Sequence, residues 1–464
     1  MQGHSQRKGY LEQMKYEHDF TIPSSPHELG NAYWFDGMRL SRAFCQRLPA
    51  RVADLLEVAL AVYAADRRSR RNFRGINTGQ RHIHAKVSVS DPGLWNEPTM
   101  QSKLQEFLYW LSEDDWSLQF VQRRTLSGLT ESGQFLFELP PEPPVTVSLF
   151  SGGLDSLAGF AACSREHQDG SFVLVSGYTN ERLASLQRTQ VQEIRKTLRA
   201  RDSLATKPTI CHIAIPFGLH KIKGQREEKG QRTRGLVFLA LGAAAALQAE
   251  VNTLWVYENG VGALNLPINE TQLGVDNYRG VHPRSLMMAE TLFALALDQA
   301  FRIRNPFAFH TKAEMCRALK PAGLAHVVPH TVSCDSFPLR LHDRPSQCGY
   351  CTSCVLRRQS LLAAGLEDFD PGERYACDLI ARRDNVETKR LFGLGEMQGQ
   401  VYKLSRCLDS LDPWRSLTLM FPELYRAHAE VKRHHNLEAD DARAQIVRLF
   451  RTYVRDWDLL PRPL

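Results

Sequence analysis

The sequence has no apolar run long enough to cross a bilayer. The longest, residues 235–247, lies between Arg234 and Glu250 and is shorter than the roughly 20 residues that a transmembrane helix needs. The N-terminal segment MQGHSQRKGYLEQMKYEHDF also lacks the apolar core of a secretory signal. We therefore expect a cytoplasmic protein with no membrane partner.

The sequence also lacks an extreme charge, an internal repeat and any low-complexity tract. A formal charge of +7 is mild for 464 residues, and 43% hydrophobic with 23% charged residues is ordinary for a globular protein. This balance argues against a disordered chain and permits anionic ligands such as nucleotides. It does not by itself indicate a nucleic-acid-binding protein.

A proline-rich segment, LPPEPP at 139–144, is typical of an extended linker and suggests a domain boundary. Before it, the patterns predict a helix at 54–66 and strands at 82–90, 117–122 and 135–139. Residues after 370 form mainly amphipathic helical patterns. The predicted domains are an N-terminal α+β module at 1–144, a catalytic domain at 145–370 and a C-terminal helical region at 371–464.

In the predicted catalytic domain, apolar strands alternate with longer helices. The predicted strands are 145–150, 171–178, 209–215 and 253–259, and the predicted helices start near 154 or cover 182–201, 233–249 and 284–300. This alternation predicts βαβ units, and the continuous apolar strands indicate burial on both faces. The predicted fold class is α/β, with a doubly wound parallel sheet.

The stretch SGGLDS follows the first of these strands and precedes a helix. Gly152 and Gly153 allow a tight turn and a close approach to a phosphate, while Ser151 and Ser156 offer hydroxyl donors. Asp155 accepts hydrogen bonds and would either orient the loop or hold Mg²⁺. The pattern lacks the endings of a Walker loop and of a dinucleotide fingerprint. A simple turn with no bound ligand is the alternative interpretation.

Four of the ten cysteines lie within a short segment: Cys334, Cys348, Cys351 and Cys354. Two successive two-residue gaps place three sulfurs around one turn, and the first cysteine closes a tetrahedron. Four thiolates with no open position predict a structural Zn²⁺ site. An iron–sulfur cluster also uses four thiolates, and chance clustering of buried cysteines is a third interpretation.

Together these motifs carry a resemblance to a known family. VSLFSGGLDS at 147–156 resembles the signature of PP-loop ATP pyrophosphatases. Combined with CGYCTSCVLR at 348–357, it resembles the 7-cyano-7-deazaguanine synthase (QueC-like) family. RTRGLVFLALGAAAA at 232–246 and HTKAEMCRAL at 310–319 are similar to further segments of that family. The resemblance covers about 145–370, roughly half of the chain.

The resemblance implies a PP-loop (adenine nucleotide alpha hydrolase-like) fold that uses ATP, Mg²⁺ and Zn²⁺. Independently, Thr311 and Glu314 form a capping-box pattern that would fix the direction of Lys312. The candidate catalytic residues are Asp155, Ser156 and Lys312. The candidate ATP-binding residues are Ser151, Gly152, Gly153, Leu154, Asp155, Ser156 and Arg234. Glu258 and Asn259 are candidate substrate contacts because they end a predicted strand where ligands bind.

The implied activity is ATP-dependent adenylation of 7-carboxy-7-deazaguanine followed by formation of an amide or a nitrile. The long chain also resembles QueC-like components of bacterial anti-phage systems such as Qat. That resemblance implies an operon-encoded protein partner whose N-terminus could be the acceptor. The alternatives are the ordinary synthase of queuosine biosynthesis, which uses ammonia, a PP-loop tRNA-modifying enzyme and a non-catalytic scaffold. We recognise no RNA-binding module, so a nucleic-acid partner is disfavoured.

Overall fold

A computed structural model of the chain describes most of its residues. The described residues are 16–21, 33–44, 46–71, 80–123, 145–166, 170–201, 209–224, 226–268, 279–338, 346–379 and 386–460. The strand predicted at 135–139 and the proline-rich segment at 139–144 lie outside them.

The first part of the chain forms a small sheet covered by helices. Its elements are β1 (Tyr16–Thr21), β2 (Tyr33–Phe35), α1 (Met38–Phe44), α2 (Ala50–Arg68), β3 (Arg81–Val89), α3 (Pro92–Trp95), α4 (Pro98–Ser112) and β4 (Asp115–Gln122). Strands β1, β3 and β4 pair in that order, and both pairings are parallel. The helix and strands predicted within 54–122 are thus confirmed, while the parallel pairing was not foreseen.

The central part contains strands and helices in strict alternation at first. Its elements are β5 (Val145–Leu149), α5 (Leu154–Glu166), β6 (Ser171–Tyr178), α6 (Glu181–Arg201), β7 (Ile210–Leu219), α7 (Arg234–Gln248), β8 (Thr253–Trp255), α8 (Gly260–Leu264), α9 (Pro283–Leu297), β9 (Arg302–Arg304), α10 (Lys312–Cys316) and α11 (Thr352–Ala363). Every residue of β6 is buried, as expected for a strand covered on both faces.

The central sheet has the strand order β2-β7-β6-β5-β8-β9. Its strands from β5 to β9 are parallel, and β2 adds an antiparallel edge. The chain proceeds outward from β5 to β7 and then returns to β8 on the other side of β5. The order therefore reverses between β5 and β8, and the crevice at such a switch point is where open α/β sheets bind ligands.

Strand β8 is shorter than the predicted strand at 253–259, because it ends at Trp255. Val256 still donates to the Arg304 carbonyl of β9 at 2.9 Å, but Glu258 and Asn259 have other partners. The side chain of Asn305 accepts a hydrogen bond from the Glu258 N–H and donates one to the Glu258 carbonyl. The side chain of Asn259 caps helix α8 by accepting from the N–H of Gly262 at 2.8 Å. Helix α8 therefore begins shortly after β8, at the edge of the sheet.

The first part of the chain packs directly on the central sheet. In the antiparallel pair of β2 and β7, Trp34 lies opposite Gly218 and Phe35 opposite Phe217. Helix α2 packs against α7, and one continuous hydrophobic cluster contains residues of both, such as Leu56 and Leu241. Residues 33–123 therefore share a core with the central sheet, and the boundary at 144 stays a prediction.

The last part of the chain is helical, as predicted. Its helices are α12 (Thr388–Leu408), α13 (Pro413–Met420), α14 (Glu423–His435) and α15 (Ala439–Trp457). They form a separate hydrophobic cluster that also takes in Leu264 and Leu266, which follow β8. The C-terminal helices are thereby held against the edge where the strand order reverses. None of the described helices is long and apolar enough to cross a membrane.

Candidate functional site

The loop between β5 and α5 adopts the tight turn that its two glycines predict. Gly152 has a φ of +84°, and a Cβ there would lie 3.0 Å from Cγ of Gln187, so glycine is strongly favoured at this position. Ser151 and Ser156 join across the turn, with their hydroxyl oxygens 2.7 Å apart. The Ser156 hydroxyl also accepts from the Ser151 N–H at 3.1 Å. The result is a closed loop at the start of a helix, where free N–H groups suit an anion.

Two glutamines of helix α6 hold this loop from the side. The Gln187 amide donates to the carbonyl of Ser151 at 3.0 Å, and the Gln190 amide donates to the carbonyl of Gly152 at 2.9 Å. Gln190 also donates to the carbonyl of His330 at 2.8 Å. Sequence reasoning missed both residues. Their burial is visible only in the structure, where both side chains are fully buried on a helix whose described charged side chains are at least partly exposed.

Four polar side chains meet beside the loop. The Lys312 ammonium lies 2.6 Å from Oδ2 of Asp155. The Asn259 amide donates to Oδ1 of Asp155 at 3.1 Å and to Oε1 of Glu258 at 2.8 Å. A Cβ on Gly262 would lie 2.6 Å from Oε1 of Glu258, so the missing side chain leaves room for this carboxylate. The structure thus brings together the predicted residues of three separate segments.

The predicted capping box sets the position of Lys312. The Thr311 hydroxyl accepts from the Glu314 N–H at 3.1 Å, and the Glu314 carboxylate accepts from the Thr311 N–H at 2.8 Å. Asp456 of α15 also accepts a hydrogen bond from the Thr311 hydroxyl at 2.8 Å. The C-terminal helix therefore supports the turn that carries Lys312, a role that sequence reasoning missed.

Burial and neighbouring charges shift the pKa values of this cluster. Burial, reinforced by the negative charge of Asp155, raises the pKa of Glu258 to about 8, although Lys312 works against this shift. Burial alone would lower the pKa of Lys312, but Asp155 and Glu258 together raise it above its ordinary value. At neutral pH the cluster therefore contains a charged ammonium, with the Glu258 carboxyl largely protonated.

These residues line a cleft of about 310 Å³. The loop contributes Gly153 and Asp155 to its wall, and the segment after β8 contributes Glu258. The C-terminal helices close another side with Met397 and Phe450. A cleft that combines apolar walls with a few converging polar groups is typical of a small-molecule site.

Arg234 is the one predicted site residue that lies outside the β5–α5 loop, the cleft and the cysteine cluster. It begins helix α7 at the same edge of the sheet, donates to Oε1 of Gln231 at 2.7 Å and lies over the ring of Phe238. No contact between Arg234 and the residues of the β5–α5 loop is found within the described part of the chain. Its assignment to ATP stays a prediction.

The four predicted metal ligands converge in the structure. The sulfurs of Cys334, Cys348, Cys351 and Cys354 all lie within 4.8 Å of one another, and those of Cys348 and Cys354 are 3.9 Å apart. Sulfurs bound at about 2.3 Å to a tetrahedral zinc ion are about 3.8 Å apart. The donor set and its spacing therefore fit Zn²⁺, and these four thiolates would hold it.

A buried arginine connects the cysteine cluster with the loop. Arg357, in the helix that begins within the cysteine motif, donates to the Thr331 hydroxyl at 2.6 Å and to the Val328 carbonyl at 3.1 Å. The same segment continues to Val332, whose N–H donates to the Gly152 carbonyl at 3.2 Å. The cysteine module thus positions the backbone that supports the loop.

The fold and the site define a class. A mainly parallel α/β domain, with a tight glycine loop before a helix at its switch point and a four-cysteine cluster, is consistent with a PP-loop-like fold. Residues 145–365 match the family model described as Queuosine biosynthesis protein QueC. The chain is also 26% identical over 229 residues to the 7-cyano-7-deazaguanine synthase of Cellvibrio japonicus (strain Ueda107), covering 48% of this chain and 95% of that protein. Residues 145–365 are therefore similar to the QueC family.

Proposed function

We propose that this protein uses ATP to adenylate a 7-deazaguanine carboxylate and then forms an amide with an amine acceptor. The observation that carries the proposal is the cluster of Asp155, Lys312 and Glu258 beside the closed loop, lining a cleft of about 310 Å³. The match of residues 145–365 to the QueC model supports the choice of substrate class.

The loop and Lys312 would act on the triphosphate. A carboxylate of the substrate attacks the α-phosphorus of ATP, the acyl adenylate forms and pyrophosphate leaves. The N–H groups at the start of α5, with the hydroxyls of Ser151 and Ser156, would donate to the departing pyrophosphate. Lys312 would supply a positive charge from a buried position. Asp155 provides the carboxylate oxygens that Mg²⁺ prefers beside phosphate; when bound, that ion would neutralise phosphate charge.

Glu258 would take up the proton that the second step releases. The amine attacks the acyl carbon, the amide bond forms, AMP leaves and the amine nitrogen loses a proton. A general base works best when its pKa lies near the operating pH. Burial places the pKa of Glu258 at about 8, within that range. Asn259 would orient this carboxyl through its hydrogen bond of 2.8 Å.

A protein N-terminus in a bacterial anti-phage system is the acceptor that we favour over ammonia. The synthase from Cellvibrio japonicus aligns along 95% of its length with only 48% of this chain. The additional residues are part of the site: Phe450 and Met397 line the cleft, and Asp456 supports Thr311. We propose a protein partner, since a small acceptor such as ammonia would not require the additional residues that line the cleft. We also propose that the enzyme is cytoplasmic.

Intact mass analysis after incubation with ATP and 7-carboxy-7-deazaguanine tests the proposal. We expect release of pyrophosphate and a mass increment on a protein encoded by a neighbouring gene when that protein is added. A small-molecule nitrile formed only with ammonia would instead indicate the ordinary synthase reaction. Absence of pyrophosphate release with every acceptor would contradict the proposed function.

The pH dependence of amide formation tests the role of Glu258. Because the pKa of Glu258 is raised to about 8, its carboxylate form is scarce at lower pH. The rate of amide formation should therefore fall about tenfold for each pH unit below that pKa. Protonation of the amine adds its own fall of the rate below its pKa of about 8, so the contribution of Glu258 is the difference between the wild-type and Glu258→Gln profiles. Glu258→Gln should show a shallower fall, and Glu166→Gln, an exposed control, should match the wild type. An unchanged profile in Glu258→Gln would exclude Glu258 as the base.

A further inference from the structure

A second cavity of about 290 Å³ lies beside the cleft. All three parts of the chain contribute to it. Trp110 comes from α4, Arg279 and His282 precede α9, and Arg426 and Glu430 come from α14. Trp110 and α14 lie outside residues 145–365, which match the QueC model. The cavity is therefore built largely from the additions to the central domain.

One turn of chain separates this cavity from the cleft. Asn265 lines both, while Leu264 lines the second cavity and Leu266 lines the cleft. Asn265 ends helix α8 in the left-handed conformation, with a φ of 45°. A ligand in the second cavity would therefore lie next to the C-terminal end of helix α8. The N-cap of this helix, Asn259, contacts Asp155 and Glu258.

Trp110, which lines the cavity, is held by several contacts, and the arginines beside it already have partners. The guanidinium carbons of Arg279 and Arg284 each lie 4.5 Å from the centroid of the Trp110 rings. Arg279 also forms an ion pair of 2.7 Å with Glu113, and the Trp110 indole donates to the Ser285 hydroxyl at 2.8 Å. These contacts make Trp110 and Arg279 part of the cavity's scaffold.

Among the residues that line this cavity, Glu430 has a carboxylate oxygen without a hydrogen-bond partner in the described part of the chain. Its Oε2 atom is buried and receives no hydrogen bond from the described residues. The Nε atom of Arg284 lies 3.6 Å from Oε1, and Nδ1 of His282 lies 3.8 Å from Oε2. His282 cannot fill the gap, because its Nδ1 already accepts a hydrogen bond from the Arg284 N–H. The cavity wall therefore contains a carboxylate, 17% exposed, whose nearest cationic nitrogens among the described residues are 3.6 and 3.8 Å away. Such a group is costly to bury unless a ligand supplies a donor.

We propose that the second cavity binds the amine-bearing end of an acceptor polypeptide, whose ammonium group pairs with the Glu430 carboxylate in the cavity wall. The inference rests on the proposed function, since it locates the acceptor of that reaction. An ammonium offers three donors. Ammonia itself would need only about the 30 Å³ of a water molecule. A polyamine is disfavoured because Arg279, Arg284 and Arg426 would repel its further charges.

The raised pKa of Glu430 also allows this residue to convert a bound ammonium into a neutral amine. Only the neutral amine can attack the acyl carbon, so the ammonium must first lose a proton. Burial raises the pKa of Glu430 to about 7, against the lowering effects of Arg284 and Arg426. The Glu430 carboxylate can therefore accept one proton from the bound ammonium near neutral pH. This exchange leaves a neutral amine and a protonated carboxyl.

Calorimetric titration tests the binding without chemistry. Tetraglycine should bind the full-length protein, and N-acetyl-tetraglycine, which has no ammonium, should bind at least tenfold more weakly. Glu430→Gln should lose the preference for the free amine. Glu367→Gln removes an exposed carboxylate that lines neither cavity and should retain the preference. Equal binding of both peptides, or an unchanged preference in Glu430→Gln, would overturn the proposal.

A competition experiment then links the cavity to turnover. With ATP, 7-carboxy-7-deazaguanine, tetraglycine and ammonia together, Glu430→Gln should lower the ratio of peptide adduct to ammonia product about tenfold. An unchanged ratio would overturn the proposal. If the wild-type protein releases no pyrophosphate, the proposed function fails, while the calorimetric comparison still decides whether the cavity binds an ammonium.

Discussion

Replacing Lys312 with methionine is expected to reduce pyrophosphate release by about 10²–10³-fold, the usual cost of removing one preorganised group that stabilises charge in a transition state. The Lys312 ammonium lies 2.6 Å from Asp155, with only 8% of its side chain exposed. Such a charge is oriented before ATP binds and is poorly screened by water. The rate of pyrophosphate release under saturating ATP and substrate measures the effect.

A loss of stability has to be separated from this loss of rate. Removing one partner of a buried ion pair leaves the other uncompensated, at a cost of about 3–5 kcal/mol. Lys312→Met and Asp155→Asn should each lower the denaturant midpoint. The double variant should recover much of the stability, because no unpaired charge remains, and still be inactive. Lys196→Met, which removes an exposed lysine, is the matched control. Activity in the stable double variant would exclude this pair from the reaction.

Local patterns predicted the loop and its flanking elements well. The apolar run before Gly152 and Gly153 predicts strand β5, and the spacing of the four cysteines predicts that their sulfurs meet in one cluster. In each case the determining residues are neighbours in sequence, so turn chemistry and ligand spacing suffice. The capping box before Lys312 was predictable for the same reason, since it spans only Thr311 to Glu314.

The contacts that complete the site come from distant segments. Gln190 is 38 positions from Gly152, and Asp456 is 145 positions from Thr311. No local pattern encodes such a pairing. Arg234 differs, because its assignment to ATP came from the family resemblance. In the structure its guanidinium lies over the ring of Phe238, and the contact with ATP stays a prediction.

Loss of the metal is expected to have the other large effect. Structural zinc contributes about 10–16 kcal/mol of binding free energy in zinc-finger peptides, which is comparable with the entire stability of a typical domain, about 5–15 kcal/mol. Cys354 is completely buried within the cluster. Cys354→Ser should therefore release the metal and unfold the segment around Arg357. Because Arg357 positions the backbone that holds Gly152, ATP binding should be lost as well.

Cys377→Ser is the matched control for this variant. Cys377 is half-buried beside the cluster, and its N–H donates to the Cys348 carbonyl at 3.1 Å, but its sulfur is not among the four that converge. The control should retain one zinc ion per chain and its thermal midpoint, by elemental analysis and calorimetry. Full metal content in Cys354→Ser would contradict the assignment of the ligands. Iron with acid-labile sulfide in the wild-type protein would keep these ligands but replace zinc with an iron–sulfur cluster.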